Sequence, residues 1–250
     1  DKGIGMDVDT QLLIISNPDL DAQLNQHADR NGTDPLKALK RRLDKHEFTY
    51  LTNHSLEAEL IRRELTNETE VWESTEYDEI EAKLREPVTV TVRDADGELT
   101  ERELAPHAVE AAAMYAVVTR LNDGDLPAGV DLVDKAVLFD RGYLQDGDER
   151  IEKDDFEFVG ATDGEHGIPV TYTRDELASL LQTERDRHHA DLPVGDVVMP
   201  RDVLNSMAEN LNDAPVFSAG ERTEFENRVV PVKNHVFKQQ EEDVLDAMLR

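Results

Sequence analysis

The sequence has no cysteine, which excludes disulfides, thiolate metal sites and a cysteine nucleophile. No apolar run approaches the roughly 18 residues that a membrane-spanning helix requires. Positive charge is scarce: 27 Lys and Arg stand against 56 Asp and Glu, a formal net charge of -29. A field of that sign repels phosphate backbones and argues against sequence-independent binding to nucleic acid. The opening residues, Asp1 to Met6, include neither an initiator methionine nor the apolar core of a signal peptide, and they read like the interior of a longer protein. Several chemical signatures are missing as well. There is no G-x-x-x-x-G-K-[ST] to cradle ATP phosphates, and Gly3 and Gly5 do not make G-x-G-x-x-G. The H-R-D and D-F-G set of eukaryotic-type kinases and the G-x-S-x-G of hydrolases are also absent.

What is present is a chain of 250 residues, long enough for one large domain or two small ones. Its 38% hydrophobic content is low, but it falls in periodic segments that argue against wholesale disorder. Arg outnumbers Lys 18 to 9. Self-repulsion on this scale destabilises a compact state at low salt, whereas at molar salt the Debye length falls to about 3 Å. The composition therefore points to a cytoplasm rich in salt, as in an extreme halophile; the alternative is an acidic protein of an ordinary cytosol. On the halophilic reading, Asp154-Asp155 and Glu241-Glu242-Asp243 are solvated surface and no metal site. His188-His189 makes a poor chelate, because adjacent helical residues diverge by about 100°.

The chain divides into stretches 1–86, 87–145 and 146–250. In the first, Leu12-Leu13-Ile14-Ile15 reads as a buried parallel strand ended by Pro18, and Phe48-Thr49-Tyr50-Leu51 as a second. Between them Asp34-Pro35 starts a helix with Leu36, Leu39 and Leu43 on one face and Lys40-Arg41-Arg42 on another. Ser55 is expected to cap the next helix, and a further helix covers 77–86. The second stretch opens with a hairpin, Val88 to Val92 and Glu98 to Leu104 around an Asp96-Gly97 turn. Pro106 then starts a helix ending at Asn122-Asp123-Gly124, and Asp131 opens another helix or turn. In the third stretch an acidic, Gly-rich connector runs from Asp146 to Gly167. Thr173 with Glu176 reads as a capping box, and Pro200 starts a helix. Val229 to Val232 reads as a short strand, and Val236 to Leu249 as a final helix.

Two polar features stand out. Asn17 follows an apolar strand, where a polar residue at the carboxyl end of a parallel strand faces the ligand crevice; it can equally be a turn residue before Pro18. Arg41-Arg42 brings two permanent cations to one helix of an acid-dominated chain, suited either to phosphate oxygens or to a surface salt bridge.

An ordered set of segments resembles the PrkA-type serine protein kinases, whose N-terminal region is an AAA+ module. The segments are Gln11-Leu-Leu-Ile-Ile-Ser-Asn17, Leu39-Lys-Arg-Arg-Leu43, Ala105-Pro-His107 running on to Thr119-Arg-Leu121, Asp131 to Asp140, and Tyr172-Thr-Arg174. The resemblance covers most of 10–182 and weakens beyond. It implies an α/β to mainly α fold: the distal half of an AAA+ parallel-sheet core over 1–86, an inserted β-hairpin and the start of a helical lid over 87–145, and the rest of the lid with a mainly helical C-terminal region over 146–250. It further implies that Asn17 is the sensor 1 residue, that Arg42 (or Arg41) is the arginine finger acting on a neighbouring subunit, and that Arg174 lies near sensor 2. The parent would bind Mg-ATP, self-associate and act on protein substrates, as a Ser/Thr kinase or as a mechanical ATPase. This stretch alone lacks Walker A and B and is expected to hold no ATP tightly. The alternative is a non-catalytic helical interaction domain.

Overall fold

The computed structural model of the chain describes residues 13, 15, 46, 48–67, 77–93, 96–124, 126–146, 149–156, 158, 162–183 and 197–249. The chain divides into two compact units, 1–48 and 49–250, and the architecture below is that of the second. The expected strand at 12–15 and the helix after Asp34-Pro35 fall, with Asn17, Arg41 and Arg42, in the first unit and outside the described residues, apart from Leu13 and Ile15.

Helix α1 (His54–Thr66) and α2 (Tyr77–Leu84) lead into the hairpin of β1 (Val88–Arg93) and β2 (Leu99–Leu104). Then come α3 (Ala108–Arg120), α4 (Leu132–Arg141), and a second hairpin of β3 (Tyr143–Asp146) and β4 (Glu149–Glu152). The last elements are α5 (Val170–Gln182), β5 (Val197–Val198), α6 (Pro200–Glu209) and α7 (Ala219–Leu249).

The organising element is α3. All 13 of its residues are buried; ten are apolar and spread round the whole helix, and the polar three, Glu110, Thr119 and Arg120, lie toward its two ends. Alanines at 108, 111, 112, 113 and 116 let α1, α6 and α7 approach closely, with α4 and α5 packed alongside. The hairpin forms as its alternation requires. Val88 and Val90 face the core, Thr89 and Thr91 face outward, and Val88 pairs with Leu104 in antiparallel register. Gly97 turns the chain at φ 85°. β5 adds to β2 in parallel, giving a mixed sheet of order β1-β2-β5. The described residues thus form a mainly helical α/β structure with a small mixed sheet.

Several expectations need correcting. Residues 48–51 form no strand: the Tyr50 amide donates to Gly164 O at 2.9 Å and Leu51 O accepts from Arg120, so a loop and a guanidinium replace a ladder. Asn53, not Ser55, caps α1, its side chain accepting from the Leu56 amide at 2.8 Å. Thr173 lies inside α5, which already begins after Pro169, and Glu176 accepts from Ser206 and Asn210 instead of capping. Within the connector expected from Asp146 to Gly167, β4 and a 3-10 turn at Lys153–Asp155 are formed. Val229 to Val232 is helical. Their β-branched run reads as a strand, but Phe225, Val229, Val232 and Val236 recur at helical spacing and bury one continuous stripe of the 31-residue α7, which runs through Pro231.

Candidate functional site

Of the residues singled out in the sequence, Arg174 is described. It sits in the second turn of α5 with its side chain 40% exposed. Its guanidinium donates to Asp175 at 2.9 Å and lies 3.4 Å from Glu64 of α1. These exposed carboxylates raise its already high pKa further, the hydrogen bond to Asp175 being the largest cause. Asn17, Arg42 and Arg41 lie outside the described residues.

The polar chemistry that is described gathers at the two ends of α3. At the C-terminal end Arg120 is buried against Glu57 of α1. One nitrogen, Nη2, donates to Oε1 at 2.7 Å, and Nη1 donates to the other carboxylate oxygen. Nε and Nη2 also donate to Ile168 O, and Nη1 to Leu51 O. Burial pushes the Glu57 carboxyl up from its ordinary value, and the hydrogen bonds and charge of Arg120 oppose that shift. Gly167 lies against this guanidinium: at φ 125°, a Cβ there would come within 2.6 Å of Arg120 Cγ. Nearby, buried Lys135 donates to Asp163 and to Asn122 O, each at 2.9 Å.

At the N-terminal end α1, α3, α4 and α7 converge. His107 precedes α3 in the left-handed region at φ 64°. Its Nδ1 lies 2.6 Å from Glu110 Oε2 and its Nε2 lies 2.7 Å from Asp243 Oδ2 of α7. The other Glu110 oxygen accepts from Gln239 at 3.2 Å and lies 3.8 Å from His54 Nε2. That nitrogen is also 3.6 Å from Asp140 Oδ2, which accepts from the Ser55 hydroxyl at 2.6 Å. Burial would raise the Glu110 carboxyl, but the His107 hydrogen bond and the charges of His54 and His107 hold it at about 2. Burial would lower His107, yet the hydrogen bonds and charges of Glu110 and Asp243 raise it above its ordinary value. Among the described residues no group of three or more His, Asp or Glu is arranged to hold a metal ion.

Residues 133–250 match the PrkA serine protein kinase C-terminal domain. This stretch is of the PrkA family. The ATP-dependent protease PrkA of Bacillus subtilis (strain 168) is 26% identical over 133 residues, covering 53% of this chain and 19% of that protein. The chain therefore spans about a fifth of that relative's length. No solved structure matches it. The PrkA domain begins at the first turn of α4 and includes Asp140, Arg174, His235, Gln239 and Asp243; His54, His107 and Glu110 precede it. The matched region contains the Tyr172-Thr-Arg174 motif and nearly all of Asp131 to Asp140, whereas the segments at 11–17, 39–43 and 105–121 precede it. No helix among the described residues is long and apolar enough to cross a membrane.

Sequence reasoning missed both ends of α3. In the sequence His107 and Glu110 read as part of a helical motif, and the signal that marks them is a base and an acid at i, i+3 where a mainly apolar helix begins. Asp243 carries no signal, because it sits in the acidic run Glu241-Glu242-Asp243 of a chain with 56 Asp and Glu.

Proposed function

We propose that this chain is part of an ATP-dependent PrkA-type protein that acts on other proteins, and that it supplies the distal part of an AAA+ module together with the helical domain that follows. The observation that carries this reading is the PrkA C-terminal domain match over 133–250, which contains Arg174 and is preceded in the chain by the ordered motifs that contain Asn17 and Arg42. ATP dependence is also in the name of the Bacillus relative. ATP with its magnesium would supply the phosphoryl group or the energy of hydrolysis. Asn17 would orient the attacking group, and Arg42 would reach a neighbouring subunit's nucleotide, where such an arginine is worth about 10³-fold or more in turnover. Arg174 suits the lid role: its guanidinium is on the surface and its partners are exposed carboxylates, which it can exchange for phosphate oxygens.

Two kinds of outcome, phosphorylation of Ser or Thr and ATP-driven proteolysis, are suggested by the family description and by the relative's name. Within the described residues the Ser55 hydroxyl is buried and engaged by Asp140, and Lys135 is buried and engaged by Asp163 and Asn122 O. These engagements favour placing the step on protein substrate elsewhere in the parent, with this chain sensing and transmitting the nucleotide state.

The test uses two full-length variants. Arg42→Ala should keep near-normal ATP binding and lose turnover by about 10³-fold or more. Mixed with a Walker-A-dead subunit that keeps Arg42, it should regain activity, since each subunit supplies what the shared site lacks. Activity that stays at the level of the separate variants, while mixed oligomers demonstrably form, would remove the finger role, and Arg41 would be tested in the same way.

A further inference from the structure

Residues 241–249 form the last two turns of α7, and all of them are exposed except Asp243, which is half-buried. The Asp243 carboxylate is the partner of His107, and this side-chain bond joins these turns to the N-terminus of α3. The ring is aimed from a backbone position that a non-glycine residue seldom adopts, φ 64°, with the His107 amide donating to Leu84 O at 3.1 Å and its carbonyl accepting from Ala111 at 2.8 Å. Both ring nitrogens therefore face carboxylate oxygens. An ionised carboxylate can only accept, and a neutral imidazole has one N–H, so only imidazolium satisfies both contacts.

We infer that His107 is a proton-operated latch, which fastens the last two turns of α7 to α3 when its imidazole carries two protons and releases them when it loses one. The bond that gives way is the one to Asp243. Glu110 is buried and also held by Gln239, whereas the Asp243 carboxylate is 41% exposed and water can take over its hydrogen bond. The surroundings are mixed in charge. α1 contributes His54 and Arg62, α2 and the turn after it Lys83, Arg85 and Glu86, and α3 Glu110. α4 with its N-cap contributes Asp131, Asp140 and Arg141, and α7 itself His235, Asp243 and Asp246. Burial holds His235 below its ordinary value, so it stays neutral over the range in which His107 titrates.

The sign follows from the two shifts. Because the fold raises His107, its contribution is complete below the ordinary histidine value near 6.5 and is lost as pH rises through the folded value. Glu110, held at about 2, loses its part only in strong acid. The latch is therefore closed in mildly acidic solution and opens toward alkaline pH.

The experiment is hydrogen exchange on the intact chain from pH 5.5 to 9 at constant salt, corrected for intrinsic rates, together with ring-nitrogen NMR of His107. At pH 5.5 both ring nitrogens should be protonated. As one is lost, protection of amides in 241–249 should fall by roughly tenfold for each pH unit by which the fold raises His107, while α3 and α6 stay protected. Asp243→Asn provides the second arm, since its amide can donate to a neutral ring nitrogen. In that variant 241–249 should stay protected to alkaline pH. A ring with a single proton at pH 5.5, protection that is unchanged as His107 titrates, or the same pH profile in Asp243→Asn would each overturn the latch.

Discussion

At the scale of single residues, the feature that most constrains this protein is the buried Arg120. A guanidinium is always charged, so its position depends on Glu57 and on the carbonyls of Leu51 and Ile168, which tie three separate segments to the end of α3. Removing one partner of a buried pair leaves an uncompensated charge and costs about 3–5 kcal/mol. Glu57→Ala should therefore lower the unfolding free energy by about that amount in a denaturant titration. Combined with Arg120→Met, it should cost less than the sum of the single changes, because the double variant buries no lone charge. Additive losses would mean that the pair is not coupled. None of this could be read from the sequence: Glu57 and Arg120 lie 63 positions apart, each in a helix where its charge looks like ordinary surface.

At the scale of elements, α3 and α7 are joined end to end by polar side chains as well as by packing. Tyr115 donates to Phe225 O at 2.9 Å, and burial pushes its hydroxyl pKa well up, so it stays a donor. Arg228 donates to Val118 O and Leu121 O, both at 2.8 Å. These are carbonyls at the end of α3, which an α-helix leaves without internal partners, and a cation there also meets the negative end of the helix dipole. Arg228→Met keeps the apolar stem but orphans both carbonyls. It should cost about 1.5–3 kcal/mol in a denaturant titration, the range for hydrogen bonds from charged groups. A cost below about 0.5 kcal/mol would show that water caps α3 equally well. The hairpin and α3 were legible beforehand because their patterns are local: alternation with an Asp-Gly turn, and an apolar run closed by Asn122-Asp123-Gly124. The Val229 to Val232 run reads as a strand because β-branched residues favour strands locally, while burial against α3 decides for helix.

At the scale of the whole molecule, the formal charge of -29 dominates. The Debye length contracts from about 10 Å at 0.1 M salt to about 3 Å at 1 M, so exposed carboxylates stop repelling one another over that range. The thermal midpoint should accordingly climb steeply between about 0.1 M and 1 M potassium chloride and flatten beyond. A flat or falling midpoint would remove the salt-adapted reading. The ion pairs at the ends of α3 should respond least, because buried pairs are screened far less than surface charges.

The sequence by itself determined what depends on near neighbours and on totals. The absence of cysteine and of the phosphate-binding loop, the acid surplus, the hairpin, the position of α3 and the PrkA resemblance were all available in one dimension. The tertiary structure alone decided which charges are buried and with whom. Glu57 meets Arg120, Arg228 meets the end of α3, and an aspartate in an acidic surface run closes on His107 across 136 positions. The reason is physical: a side chain's charge state and hydrogen-bond partners follow from its burial and from groups brought up by distant segments. Local sequence fixes periodicity and says nothing of which faces will meet.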